Sequence, residues 1–327
     1  MKTTLLGCFR KLVFPAALGL VAIAIGAGPA AATYPGANGR IVFTTGTNDL
    51  WSVLDDGSGL ELLTTVVAPP GVSSFASYPS FSADGSKIAV MLNELDRPTP
   101  CDPGGINGGS GPCRALVLMN ADGSNQQVVY QSEDIASLQL SLSPDGREIA
   151  FTKVTSGSSE QIFTIDVDGR HLRALTRQRP HEPATDTGAT WSPDGATIAF
   201  ESNRDEALTG HSWSLFSVDA RTRRIARVIP GSMNNDLEPD WSPSGSRLLF
   251  LRTFGFPDYR ILTVDRNGSD EQQVVGGFPA EQPVWSPDGT EVLYQWNGLW
   301  VVGVNGSNPH QIVFGGVVRG YSWEPVN

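Results

Sequence analysis

The stretch WSPDGATIAFES, residues 191–202, combines a tight turn with a strand. Pro193 presets the backbone φ angle, Asp194 can hydrogen-bond the local backbone, and Gly195 can take the positive φ that closes a hairpin. The aromatic residue before the turn and the aliphatic residues after it both favour β-structure. The stretch therefore predicts two antiparallel strands joined by a Pro-Asp-Gly turn.

The same pattern occurs five times along the chain. Each copy has an aromatic residue or Leu, then Ser, Pro or Ala, Asp or Ser, and Gly, with an aliphatic residue seven positions after the first. The leading residues are Phe81, Leu142, Trp191, Trp241 and Trp285, and the aliphatic residues are Ile88, Ile149, Ile198, Leu248 and Val292. This constant offset predicts that all five segments form one repeated hairpin.

A second, weaker motif follows the first and occurs six times. It is an alternating strand, a turn containing Asp or Asn and usually Gly, and another strand, with copies starting at Trp51, Val117, Phe163, Phe216, Leu262 and Val301. Two hairpins at a period of roughly 44–61 residues are typical of a β-propeller blade. The chain ends on a leading strand with no hairpin partner, which contains Trp323. Pairing of this strand with residues 41–43 predicts an all-β, six-bladed propeller of four-stranded antiparallel blades, closed by the N- and C-terminal strands.

These repeats resemble those of the TolB-like β-propeller proteins, which are similar to WD-repeat propellers and occur in the Tol–Pal system. The resemblance covers about residues 34–327, so we do not expect the N-terminal α/β domain of TolB here. It implies that the turns of both motifs lie on one face of the ring and the longer loops on the other. It also implies docking to other proteins of the cell envelope.

The first 32 residues are predicted to be a signal peptide. Lys2, Arg10 and Lys11 give a basic start, an apolar run follows, and residues 30–32 supply the small side chains that precede cleavage. We therefore expect cleavage after Ala32 and export to the periplasm or the medium, with no stable membrane span afterwards. The exported part, residues 33–327, is predicted to be a single six-bladed propeller domain, and we expect a monomer.

The two cysteines beyond the signal peptide are Cys101 and Cys113. An oxidising compartment favours a disulfide between them, which would close a Gly- and Pro-rich loop. The composition excludes two other classes of protein. Hydrophobic residues make up 40% of the chain, too many for a disordered protein, and the formal net charge of −11 argues against nucleic acid as a partner.

Variable loops on a rigid ring commonly carry recognition, and here they are acidic. Glu238 and Glu281 each precede a blade tryptophan, so we expect both at the upper mouth of the central channel, binding a cation or paired with a neighbouring Arg252. The other predicted residues of this mouth are Glu182, Asp236 and Asp205. His181 and His211 are the weak candidates for metal ligands. A solvated acidic rim remains the alternative interpretation.

These observations favour an exported, non-catalytic scaffold that binds a protein or cell-envelope partner through its loop face. This interpretation needs no cofactor. The alternative is a metal-dependent propeller enzyme, similar to a lactonase or a lyase, with a calcium or manganese ion at the channel mouth. A third hypothesis is carbohydrate binding. It rests on Trp296 and Trp300, which lie off the repeat register. Together with Trp213, which lies in a long-loop strand, they are the best candidates for exposed aromatic contacts.

Overall fold

The computed structural model describes residues 35–95, 101, 112–155, 159–177, 184–204, 213–229, 234–316 and 318–326. The predicted signal peptide lies outside these ranges. Within them, the chain forms six four-stranded antiparallel sheets, each of which is one blade of a propeller. The part of the chain that is described contains no helix that could cross a membrane.

Each of blades 1 to 3 is built from four neighbouring strands. In blade 1 they are β24 (Tyr321–Val326), β1 (Ala37–Thr44), β2 (Asp49–Val53) and β3 (Glu61–Thr65). In blade 2 they are β4 (Ser74–Phe81), β5 (Lys87–Glu94), β6 (Cys113–Asn120) and β7 (Gln127–Ser132). In blade 3 they are β8 (Ile135–Leu142), β9 (Glu148–Thr155), β10 (Ser159–Asp166) and β11 (Arg173–Ala174).

Blades 4 to 6 follow the same plan. In blade 4 the strands are β12 (Asp186–Trp191), β13 (Thr197–Ser202), β14 (Ser214–Asp219) and β15 (Ile225–Arg227). In blade 5 they are β16 (Asn235–Trp241), β17 (Arg247–Thr253), β18 (Tyr259–Asp265) and β19 (Gln272–Gly276). In blade 6 they are β20 (Glu281–Trp285), β21 (Glu291–Gln295), β22 (Gly298–Gly303) and β23 (His310–Phe314).

Blade 1 closes the ring, because it takes its innermost strand from the C-terminus and its other three from the N-terminus. Strand β24 pairs with β1 so that Trp323 lies opposite Ile41 and Tyr321 opposite Phe43. Trp323 is buried, and its indole Nε1–H donates a hydrogen bond of 3.1 Å to the carbonyl of Gly39. The predicted closure by the terminal strands is confirmed.

The innermost strands contact one another around the whole ring, from β24 to β4 and onward to β20 and back to β24. Each has a free edge that needs hydrogen-bond partners. At four of the six junctions, the N–H of the residue that leads the turn motif donates to a side chain of the preceding blade. These bonds are Phe81 to Ser322 (3.3 Å), Leu142 to Ser80 (3.1 Å), Trp191 to Ser141 (3.2 Å) and Trp285 to Asp240 (2.9 Å).

The Pro-Asp-Gly turns form as predicted. In the turn between β12 and β13, the Ser192 hydroxyl and the N–H of Ala196 both donate to Asp194, and Gly195 has a φ of +67°. Burial disfavours ionisation of Asp194, but these hydrogen bonds and Arg266 outweigh it and lower its pKa to about 2. The turn is therefore held by an aspartate that stays ionised at all ordinary pH values.

The predicted disulfide is also present. Cys113, at the start of β6, is buried and bonded to Cys101, with the two Cα atoms 5.9 Å apart. The apolar core lies between adjacent blades, where the blade tryptophans pack against aliphatic strand residues. Trp191, Trp241 and Trp285 each belong to a separate buried cluster.

Because Trp323 fills the closing blade, its removal should open the ring. We expect Trp323→Ala to lower the free energy of unfolding by about 3–5 kcal/mol, the usual cost of deleting a buried aromatic side chain. For a domain of this size, that loss corresponds to a fall in Tm of about 10 °C, measured by calorimetry. The matched control is Trp296→Ala, because Trp296 is 39% exposed. Equal shifts in the two variants would contradict the closure account.

Candidate functional site

The wall of the central channel has a repeated irregularity. In the innermost strands of blades 2 to 6, the pairing register shifts just before the residue that leads the turn motif. In four of these strands a residue within the shift has a left-handed backbone, at Tyr78 (φ 53°), Gly188 (φ 66°), Glu238 (φ 55°) and Gln282 (φ 54°). A shift of this kind redirects a side chain out of the regular strand alternation. The repeat therefore supplies one irregular, left-handed position in each of blades 2, 4, 5 and 6.

Glu238 is the left-handed residue of blade 5, and its hydrogen bonds link blades 4, 5 and 6. Its N–H donates a hydrogen bond of 2.8 Å to the carboxylate of Glu201, whose other oxygen accepts from the Thr187 hydroxyl at 2.8 Å. The Glu238 carboxylate in turn accepts the N–H of Gln282 at 2.6 Å. We call Thr187, Glu201, Glu238 and Gln282 the wall chain, which runs from blade 4 through blade 5 to blade 6.

Tyr321 extends the wall chain to blade 1. Its hydroxyl donates to the carbonyl of Gln282, and the side chain is buried in the closing blade. The side-chain amide of Gln282 is also fully buried, yet among the described residues neither its oxygen nor its nitrogen has a hydrogen-bond partner. An unpaired buried amide is costly, so this group is an unsatisfied polar site in the channel wall.

The channel carboxyls are shifted toward their neutral forms. Burial raises the pKa of Glu201, and burial raises the pKa of Glu238 well above its usual range, with the like charges of Glu201 and Glu281 adding to it. Burial also raises the pKa of Glu281. Opposing these shifts, the N–H of Gln282 stabilises the ionised form of Glu238. Ionisation of this cluster therefore costs folding free energy.

Glu238 and Glu281 both lie on innermost strands, and the charge of Glu281 raises the pKa of Glu238, but the two side chains have different environments. Glu238 is 7% exposed and acts as a hydrogen-bond acceptor between blades, whereas Glu281 is half-buried at the start of β20. Arg252 pairs with neither of them. Its guanidinium forms a bidentate ion pair with Asp236 (2.6 and 3.3 Å) and a second pair with Glu271 (2.8 Å).

Asp236 is thus fully buried in an ion pair instead of facing a partner. Blade 4 repeats the arrangement at the equivalent strand position, where Asp186 pairs with Arg204 at 2.6 Å. In both blades the buried carboxylate needs a partner to compensate its charge. The ion pair with the arginine holds the end of the blade together. The expected pairing of Glu238 or Glu281 with Arg252 is wrong.

Four predicted site residues, Glu182, Asp205, His181 and His211, lie outside the described residues. In the part of the chain that is described, no three His, Cys, Asp or Glu side chains are placed so that they could hold a metal ion. The acidic mouth and the weak metal site therefore stay predictions.

Glu201, Gln282 and Tyr321 are functional-site candidates that the sequence pattern did not predict. Gln282 could have been found, because it stands three residues before Trp285 just as Glu238 stands three residues before Trp241. Glu201 carries no such signal. It lies on the second strand of its blade and reaches the channel only because the next blade brings the N–H of Glu238 to it.

The ring of six four-stranded blades, with loops around a central channel, defines a β-propeller of repeated Pro-Asp-Gly hairpins. Residues 139–327 match the TolB beta propeller domain family. The chain belongs to this family.

Sequence and structural similarity to known proteins supports membership of this family. An uncharacterized protein of Agrobacterium fabrum is 27% identical over 194 residues, 55% of this chain and 61% of that protein. The Tol-Pal system protein TolB of Anaeromyxobacter dehalogenans is 33% identical over 126 residues, 38% of this chain and 26% of that protein. The chain spans from 26% to 61% of the length of the curated relatives it matches. The crystal structure of TolB from Acinetobacter baumannii superimposes with a TM-score of 0.65 at 18% identity, covering 88% of this chain and 67% of that one.

The charge state of Glu238 can be tested through stability. Its pKa is raised on folding, so its contribution to stability is full below its ordinary pKa and is lost as the pH rises through the folded value. Glu238→Gln keeps an oxygen to accept the N–H of Gln282 and removes the charge. We therefore expect it to raise Tm by several degrees at pH 8 and to leave Tm nearly unchanged at pH 4, measured by calorimetry.

Glu61→Gln serves as the control, because Glu61 is an exposed glutamate on the outer strand β3. A loss of stability in Glu238→Gln that is larger at pH 8 than at pH 4 would contradict this expectation, because it would show that the ionised carboxylate stabilises the wall chain.

Proposed function

We propose that this propeller is an exported, non-catalytic scaffold that binds a protein of the cell envelope through its loop face. The loop face is the side of the ring formed by the connections between second and third strands and between successive blades. The observation that carries the proposal is a group of exposed aromatic side chains on this face of blades 5 and 6.

The loop-face aromatics are carried by the connections and strand ends of two adjacent blades. Phe254 and Phe256 lie in the connection from β17 to β18 and are 43% and 81% exposed. Trp296 lies between β21 and β22 and is 39% exposed, and Phe314, at the end of β23, is 81% exposed. Large apolar side chains so exposed are unfavourable in water and typically mark an interaction site.

Trp296 is held in place by its neighbours. Its ring centroid lies 4.7 Å from that of Phe278 and 5.5 Å from that of Trp300. Trp300 also donates a hydrogen bond of 2.8 Å from its indole N–H to the carbonyl of Trp296. A pre-positioned aromatic ring loses little conformational entropy on binding, which favours a role as a binding hot spot.

Glu281 supplies a charge at the same end of the channel. Within the described residues its carboxylate has no hydrogen-bond partner, in contrast to that of Glu238. A partner that presents apolar side chains to the loop-face aromatics and a basic group to Glu281 would match both features. We therefore assign Glu281 a direct role, whereas Glu238 and Asp236 support the loops from within the wall.

The family and the sequence support the remaining parts of this proposal. Membership of the TolB beta propeller family supports a protein-binding scaffold, and the relative from Anaeromyxobacter dehalogenans is named as a Tol-Pal system protein. The basic and apolar N-terminal segment supports export. A partner in the cell envelope is consistent with both.

The binding role is tested by substituting the aromatics. The tagged full-length chain is incubated with solubilised envelope of its host, and proteins retained by the wild type are quantified by mass spectrometry. We expect Phe256→Ser, Trp296→Ala and Phe314→Ser together to reduce the specifically retained protein at least about tenfold, because each hot spot contributes about 1–2 kcal/mol.

The matched control is Leu62→Ser with Val128→Ser. These side chains are 50% and 57% exposed on the outer strands β3 and β7, away from the loop face. Equal retention by the wild type and the loop-face variant would refute the proposed binding surface.

Export is tested on the protein's own N-terminus. We expect the protein recovered from the periplasm or medium of producing cells to begin at Thr33, because residues 30–32 are small enough for signal peptidase. Intact-mass measurement gives the cleavage point directly. Ala32→Leu should slow processing, and a full-length chain that stays in the cytoplasm would contradict the proposed export.

A further inference from the structure

A groove on the outer rim of the ring lies between blades 3 and 4. It has a volume of about 530 Å³ and is lined by Leu175, Arg177, Arg221, Thr222, Arg223 and Ile225. The outermost strands of the two blades, β11 and β15, flank it. Arg173 joins its two sides, because its guanidinium donates a hydrogen bond of 3.2 Å to the carbonyl of Ala220 in blade 4.

The charge of this groove differs from that of the rest of the molecule. The protein has a formal net charge of −11, yet all the charged residues lining the groove are arginines. Arg177, Arg221 and Arg223 are exposed, and within the described residues none of them forms an ion pair with a carboxylate. Most other arginines of the described ranges are paired, for example Arg173 with Glu148 and Arg266 with Asp194.

The turn from β14 to β15 has a defined conformation. Asp219 accepts the N–H of Thr222 at 2.6 Å and the N–H of Arg221 at 3.1 Å, so its carboxylate is engaged with the backbone. Arg223 has a left-handed backbone with a φ of +61°, and its N–H donates to the carbonyl of Asp219 at 2.8 Å. The acidic residue nearest in sequence thus shapes the turn that carries two of the three arginines.

Three guanidinium groups around one groove favour a particular ligand chemistry. A guanidinium presents a planar fork of N–H donors that matches two oxygens of a phosphoryl group. A single carboxylate would leave most of the positive charge uncompensated, whereas a ligand with several phosphoryl oxygens would balance it.

We propose that the rim groove of Arg177, Arg221 and Arg223 binds the phosphoryl groups of a polyanionic ligand. This site is separate from the loop-face aromatics of blades 5 and 6, so it does not depend on the function proposed above. The phosphoryl groups can belong to a soluble phosphate chain or to the head groups of anionic phospholipids. Both sources present the same oxygens to the arginines.

The experiment uses the full chain and two probes. Inorganic tripolyphosphate is titrated into the protein by calorimetry, and co-sedimentation is measured with phosphatidylcholine vesicles that do or do not contain phosphatidylglycerol. We expect the wild type to bind at least one probe in low salt, with an affinity that falls as salt rises. Binding of tripolyphosphate alone assigns a soluble ligand, and binding of the anionic vesicles alone assigns a lipid head group.

Single substitutions then locate the site. We expect Arg221→Gln and Arg223→Gln each to weaken binding about tenfold, as for loss of one charge-assisted hydrogen bond, and substitution of all three arginines to abolish it. Arg170→Gln is the matched control. It removes the same charge from an exposed arginine near the equivalent turn of blade 3, where Arg170 lies 3.7 Å from Asp168, and it should change the affinity less than twofold.

All three groove arginines are exposed, so we expect their variants to keep the wild-type Tm. Failure of the wild type to bind either probe would overturn the proposal. Equal weakening by Arg170→Gln and Arg221→Gln would also overturn it, because the binding would then reflect overall charge.

Discussion

The pairing of β24 with β1 is the constraint on which the rest of the molecule depends. It joins residues 284 positions apart, such as Trp323 to the carbonyl of Gly39, and completes a ring in which each blade contacts the next. Closing so long a loop costs chain entropy, which the buried aromatic core of blade 1 offsets. Once the ring is closed, the innermost strands face each other, and side chains such as Ser80 and Asp240 saturate their free edges.

The same closure explains why acidic residues occupy the channel wall. A register shift leaves backbone N–H groups without strand partners, and carboxylates of the neighbouring blade accept them. This arrangement satisfies the backbone but buries Glu201 and Glu238 close enough to raise each other's cost of ionisation. The wall chain therefore stabilises the start of β20, where Glu281 lies, at a cost in folding free energy that depends on pH.

The fold could be predicted from sequence because its information is local and repeated. The offset from Trp191 to Ile198 recurs in every turn motif, so the number of strands and the closing strand follow from counting. The environment of the acidic residues could not be predicted in this way. Asp236 and Glu238 differ by two positions, yet one is neutralised by Arg252 and the other accepts an N–H from the next blade. Their partners lie on other strands, so only the assembled ring decides which carboxylate is free.

The central claim is that the loop face of blades 5 and 6 contacts a partner, and site-specific photo-crosslinking tests it most directly. A photoreactive phenylalanine analogue replaces Phe256, 81% exposed on the loop face, or Val128, 57% exposed on the outer strand β7, in the producing organism. We expect a discrete crosslinked product, identified by mass spectrometry, at position 256 and none at position 128. The same product at both positions, or a product only at position 128, would contradict this claim.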